Sequence, residues 1–184
     1  MANHNGERGV AIVMALLAVL VLSAVSAGLM LTATTEAMIA GHFQTGRELR
    51  YATESILARA VHELGTTADW PAVAAGEVHS TFVDGAPGIR TLPDGSTLDL
   101  TQLDLPSPDW HLFAYGSLRA LLQDGTSSRC YLLVAGAGIS ADRKRLVLQA
   151  RGFGARGARQ VVQAVVAQVD RAPGVRVLSW RSEP

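Results

Sequence analysis

A chain of 184 residues has room for one domain beside an anchoring segment. Its 16 basic and 16 acidic side chains cancel, so the charge balance offers no nucleic-acid surface. The single cysteine, Cys130, excludes an intrachain disulfide, so a fold outside the cytosol must stand on packing alone.

The first element follows Glu7, Arg8 and Gly9. From Val10 to Leu31 every one of 22 residues is apolar, Ala, Gly or Ser, and no charge appears until Glu36. As a helix at about 1.5 Å per residue this run spans roughly 33 Å, the thickness of a bilayer's hydrocarbon core. Only a helix satisfies its own backbone in lipid within one segment. Three readings compete. Arg8, Val10–Leu22 and the small residues before Gly28 fit a cleaved signal peptide, with the cut after Ala27. A signal anchor would keep the whole run. A cut on the near side, after Gly9, would leave the apolar helix as a new N-terminus.

The next residues favour retention of the helix. Leu49, Ala52, Ile56, Ala60 and Leu64 recur at intervals of three or four and define one apolar face. Arg47, Glu54, Ser55 and His62 fall on the other side, and Arg50–Glu54 and Arg59–Glu63 are spaced to pair along the helix. Gly65 stands at the C-cap position and Trp70-Pro71 opposes continuation. The predicted helix therefore runs from Val10 to Leu64, apolar over 10–31 and amphipathic over 32–64. A signal peptide destined for removal has no need of a helix continuing in phase beyond it.

Arg8-Gly9, the apolar helix, "TTEAMIAG" at Thr34–Gly41 and "YATESILARA" from Tyr51 together resemble the N-terminal region of PilX-type minor pilins of type IV pilus systems. The likeness covers roughly the first 64 residues, with a weaker echo in "RLVLQARGFGARGARQVVQAVVAQV", similar to the closing hairpin of those proteins. The resemblance implies an α+β, pilin-like fold whose long N-terminal helix packs on a small antiparallel sheet. It implies a cytoplasmic leader at 1–9, cleavage between Gly9 and Val10 by prepilin peptidase, and N-methylation of Val10. Small residues Ala15, Ala18, Ser23, Ala24, Ala27 and Gly28 would then allow close approach of neighbouring helices, although they are also ordinary membrane-helix residues. The implied partners are other minor and major pilins and the inner-membrane pilus assembly platform, with a tip adhesin left open. The implied location is a single pass through the inner membrane with a periplasmic C-terminal domain, followed by entry into the pilus.

Two positions depart from the pilin pattern. Most pilins begin with Phe or Met after the cut, where this chain has Val10. Most carry Glu fifth in the mature chain, where this chain has Met14. A carboxylate in lipid costs several kcal/mol unless paired, so a subunit without it avoids that cost but cannot neutralise a neighbour's amine. Such a subunit suits the end of a filament. PilX-type pilins are known for lacking this Glu.

Beyond Gly65 short apolar runs alternate with turn signals, which predicts a mainly β domain over 65–184. Strands are expected at Val78–Val83 and His111–Tyr115, and in "RCYLLVAG", which contains Cys130. A turn is expected at Pro93–Ser96, and a short helix from a Ser117 cap through Gln123. "KRLVLQARGFG" and "ARQVVQAVVAQV" predict a long hairpin, with Gly152, Gly154 and Gly157 supplying positive φ angles or bulges. "GFGARG" has the spacing of a dinucleotide-binding loop, but that site needs a following helix where strand is expected. Cys130 reads as a small buried strand residue, or else as a reactive or intermolecular thiol.

The chemistry-bearing residues are scattered. His4, His42, His62, His79 and His111 lack metal-ligand spacing. Asp99, Asp104 and Asp109 recur every five residues without the pattern of a calcium loop. No catalytic constellation and no cofactor motif stands out. Trp70, Trp110 and Trp180 are candidates for partner contacts or for covering the core. The alternative function, from a different class, is a signal-anchored or secreted periplasmic binding module with no filament role.

Overall fold

In the computed structural model one α-helix, α1 (His4–Thr66, 63 residues), carries the whole N-terminal pattern. The structure describes residues 4–67, 69–92, 94–106, 108–122, 132–139, 145–169 and 174–183. Two units divide the chain, Met1–Gln44 and Thr45–Pro184. The first is helix alone. The second comprises the last six turns of α1 and everything that packs on them.

Helix α1 starts earlier than the apolar run predicts and passes through Gly9 and Val10 without a break. It also runs through Gly65, which takes no left-handed cap conformation. Its last carbonyls find other donors: Thr66 and Thr67 hydroxyls donate to Glu63 O, and Trp70 Nε1 donates to Leu64 O at 3.2 Å. These bonds do the work a C-cap glycine would otherwise do. Pro71 then opens a second short helix, α2 (Trp70–Ala74), capped by Asp69, whose carboxylate accepts from Ala72 N at 3.0 Å. Proline is tolerated in a first turn because its missing N–H has no partner there.

A small hairpin follows, β1 (Ile89–Thr91) and β2 (Thr97–Asp99), turning through Gly95 at φ +85°. The main sheet is an antiparallel meander in sequence order: β3 (His111–Ser117), β4 (Leu132–Ile139), β5 (Arg145–Phe153), β6 (Arg159–Gln168) and β7 (Val175–Glu183). The predicted β5–β6 hairpin is present, in register from Arg145↔Ala167 to Phe153↔Arg159. A single 3-10 turn, Ala155–Gly157, closes it, with Gly157 at φ +71° and Gly154 in ordinary extended backbone. The short helix α3 (Leu118–Leu122) starts at the expected Ser117, whose Oγ accepts from Ala120 N at 3.2 Å. Gln123 and Cys130 lie outside the described residues.

Strand periodicity sorts the core. Leu133, Ala135 and Ala137 of β4, Leu146, Leu148 and Ala150 of β5, and Val162, Ala164 and Val166 of β6 are buried on one face. They form one cluster with Leu49, Ala52, Ile56, Leu57, Ala60 and Leu64 of α1, so the predicted helix face is the buried face. On the opposite face Tyr115, Val134 and Phe153 join Leu100 in a smaller cluster. Val83, Leu92, Leu98, Leu103 and Leu112 pack against it. The second unit is thus layered as helix, sheet and an irregular cover drawn from residues 83–112.

The segment Val78–Val83 is not the strand its alternation predicts. It follows the edge of β3, with Ser80 N bonded to Phe113 O (2.8 Å) and Tyr115 N bonded to Phe82 O (3.1 Å). A full ladder does not form: the Phe82 amide, which faces β3, is taken by a side chain, and the Thr81 amide faces away from the sheet. Thr81 N donates to Glu63 Oε2 at 3.1 Å and Phe82 N to Ser80 Oγ at 2.9 Å. What remains is a single parallel bridge, Val83↔Tyr115. Strand β7 is an element the sequence reading omits.

Candidate functional site

Residues 9–44 of α1 expose their side chains all round. Val10 is 60% and Met14 68% exposed, and large apolar side chains stay exposed from there through Ile39. This is the one helix among the described residues long and apolar enough to cross a membrane. Three of its threonines are bonded back to the helix itself. Thr32 Oγ1 donates to Gly28 O (3.1 Å), and Thr34 and Thr35 both donate to Leu31 O (2.8 and 2.9 Å). A hydroxyl bonded back to its own helix costs little in a medium that cannot hydrogen-bond.

The small residues do not make one seam. At about 100° per residue, Ala15 and Ala18 share one face, while Ala24, Ala27 and Gly28 share a face almost opposite. Ser23 falls between them. A Cβ placed on Gly9 or Gly28 would meet nothing within 4 Å. The small residues therefore fall into two groups on different faces of the helix. Met14 lies one turn beyond Val10 on the same side, in the position where a carboxylate would be nearest the backbone nitrogen of Val10.

In the second unit the aspartates serve local turns. Asp99 caps the 3-10 turn Leu100–Gln102, its Oδ1 accepting from Thr101 N (2.9 Å) and Oγ1 (2.7 Å). The hydroxyl and amide of Thr101 together hold its carboxyl below the usual range. Asp94 does similar service, accepting from Ser96 Oγ and N on one oxygen and from Gly157 N on the other, at 3.1 Å. It ties the β1–β2 turn to the β5–β6 turn. Among the described residues no group of three His, Cys, Asp or Glu side chains is placed to hold a metal ion.

The tryptophans divide by environment. Trp70 is buried in the core, Trp180 stands exposed on β7, and Trp110 lines an open cleft of about 620 Å³ on the irregular cover. The sequence reading missed this cleft, since its walls come from several turns spread over residues 76–112. The available signal was "VAGAGI", where Gly136 and Gly138 strip one face of β4 of side chains.

Comparison with protein-family models, with curated proteins and with solved structures finds no match. The architecture, a long N-terminal apolar helix whose continuation packs on an antiparallel sheet, is pilin-like.

Proposed function

We propose that the chain is a minor pilin-like subunit of a type IV pilus system, standing at or near the filament tip and priming assembly through α1. One observation carries this reading. The same helix exposes an apolar run on every side from Val10 to Leu31 and buries one face against the sheet from Leu49 to Leu64. A helix built only as a membrane anchor needs no helical continuation in phase into a folded domain. One that must move from lipid into a bundle of like helices needs both halves. On this reading prepilin peptidase cuts between Gly9 and Val10, Val10 is methylated, and residues 10–31 span the inner membrane until extraction. The domain after Gly65 lies in the periplasm and then on the cell surface, and the chain is a substrate of processing enzymes without a reaction of its own.

Mass spectrometry of the mature N-terminus tests the proposal. Methyl-Val10, lost when prepilin peptidase is deleted, is the expected result. A start at Gly28, or an uncut chain beginning at Met1, overturns it. Either result would favour the anchored or secreted binding module, for which the cleft is the supporting observation.

A further inference from the structure

The chain is neutral as a whole but strongly polarised along its length. Residues 67–112 hold seven acidic side chains and a single arginine, whereas residues 118–184 hold four acidic and eleven basic ones. That single arginine, Arg90, has its guanidinium on the carbonyls of Asp84 (2.6 Å) and Ala86 (2.9 Å). The cleft opens within this acidic stretch. Asp104 lines it, and no lysine or arginine does among the described residues.

Two rings in the cleft are set by glycines. The Trp110 indole lies across β4 where side chains are missing. A Cβ on Gly138 would stand 2.5–2.8 Å from its Nε1, Cε2 and Cδ1, and one on Gly136 would stand 3.5 Å from Cε3. One face of the indole is thus spent on the sheet, and the ring cannot tilt into it. His111 rests in the same way on Gly76, where a Cβ would be 2.8 Å from Cγ and where φ is +75°. Rings fixed before a ligand arrives need little further ordering on binding. The volume is within the range of about 300–1,000 Å³ seen for small-ligand pockets.

We propose that this cleft binds an organic cation, an ammonium or guanidinium head on an aliphatic stem. The indole face attracts positive charge through its quadrupole, Asp104 supplies the counter-charge, and Leu103, Leu105 and Pro108 meet the stem. The acidic excess of residues 67–112 disfavours anions over cations in this part of the chain. The head can come from a free quaternary amine or from an arginine of another protein surface. This inference is independent of the pilin reading, because it concerns the second unit alone.

The test uses the full chain in micelles of an uncharged polyoxyethylene detergent, which carries neither sugar nor cation. Choline, Nα-acetylarginine amide, glucose and phosphate are titrated at constant ionic strength and followed by ligand-observed NMR. Saturable binding of choline or the arginine amide, with neither glucose nor phosphate binding, is expected. Tighter choline binding identifies a free amine as the source; tighter arginine-amide binding identifies a protein surface. Trp110→Leu should weaken the cation by about tenfold and Asp104→Asn by about threefold, with Asp104→Glu restoring it. Asp104 sits exposed in irregular backbone, so its variants report on binding even if the Trp110 variant fails to fold. Binding of glucose or phosphate as tight as that of the cations overturns the proposal, as does absence of cation binding or an unchanged affinity in Asp104→Asn.

Discussion

Gly152 shows how closely helix and sheet meet at one residue. It lies buried in β5, and a Cβ there would collide with Thr53 Oγ1 and stand 2.9 Å from Leu49 Cδ1. Thr53 cannot simply turn away, since its hydroxyl donates to Leu49 O at 2.8 Å and any other rotamer would leave it buried without that bond. Neither obstacle is the free end of a flexible surface chain. Gly152→Ala should therefore force α1 off the sheet locally and cost about 1–3 kcal/mol, read as a lower thermal midpoint of the full chain in micelles. Gly157→Ala would meet nothing within 4 Å, so its cost comes from the positive φ alone and should be smaller, about 1 kcal/mol. A Gly152→Ala protein as stable as the parent would mean that the helix–sheet contact is loose. The sequence predicts a positive φ or a bulge at both glycines, which holds at Gly157. The requirement at Gly152 is not visible in one strand's pattern, because it comes from a helix a hundred residues away.

At the scale of elements, what was legible depended on how local the cause is. The buried face of α1 follows from its own 3.6-residue period, and the β5–β6 hairpin from two alternating runs beside a glycine-rich turn. Strand β7 was not legible, since its burial is slight and its place depends on pairing with β6. Val78–Val83 differs for the opposite reason: its pattern is strand-like, but the Ser80 hydroxyl takes the Phe82 amide that faces β3, while Glu63 of α1 takes the outward Thr81 amide. That carboxylate accepts from Thr81 N (3.1 Å) and Thr81 Oγ1 (2.6 Å) and from Arg59 Nε (3.1 Å). Arg59 also bonds Thr81 Oγ1 and lies 5.5 Å from the centre of the Phe82 ring. Burial alone would push the Glu63 carboxyl up, but Ser80, Thr81 and Arg59 outweigh it and hold it below the usual range. A carboxyl lowered in the folded state adds stability above its unfolded value and loses that contribution as pH falls through the folded one. Glu63→Gln should thus be less stable than the parent by about 1 kcal/mol at neutral pH. The gap should close as pH falls below the ordinary carboxylate range near 4.5. A gap that stays constant through that range would show that the side chain acts by shape alone.

For the whole molecule the decisive question is where in an assembly a helix with Met14 can sit. Inside a bundle of pilin helices each buried amine of a mature N-terminus needs a counter-charge, because an unpaired charge in an apolar medium costs several kcal/mol. A subunit with Met14 offers none to the neighbour that docks against it. It can be accommodated where no such neighbour follows. Met14→Glu supplies the missing carboxylate at an exposed position of α1, so it disturbs no packing within the chain. If the proposed function is right, gold labelling of isolated filaments should find the parent protein at their ends and the Met14→Glu protein along their length. On the proposed cut after Gly9, the carboxylate of Met14→Glu lies one turn from the freed Val10 amine and can pair with it in the membrane. Labels that stay at the ends in the variant would assign tip placement to the domain after Gly65. Labels spread evenly in the parent would remove the tip position altogether and leave Met14 without an assembly role.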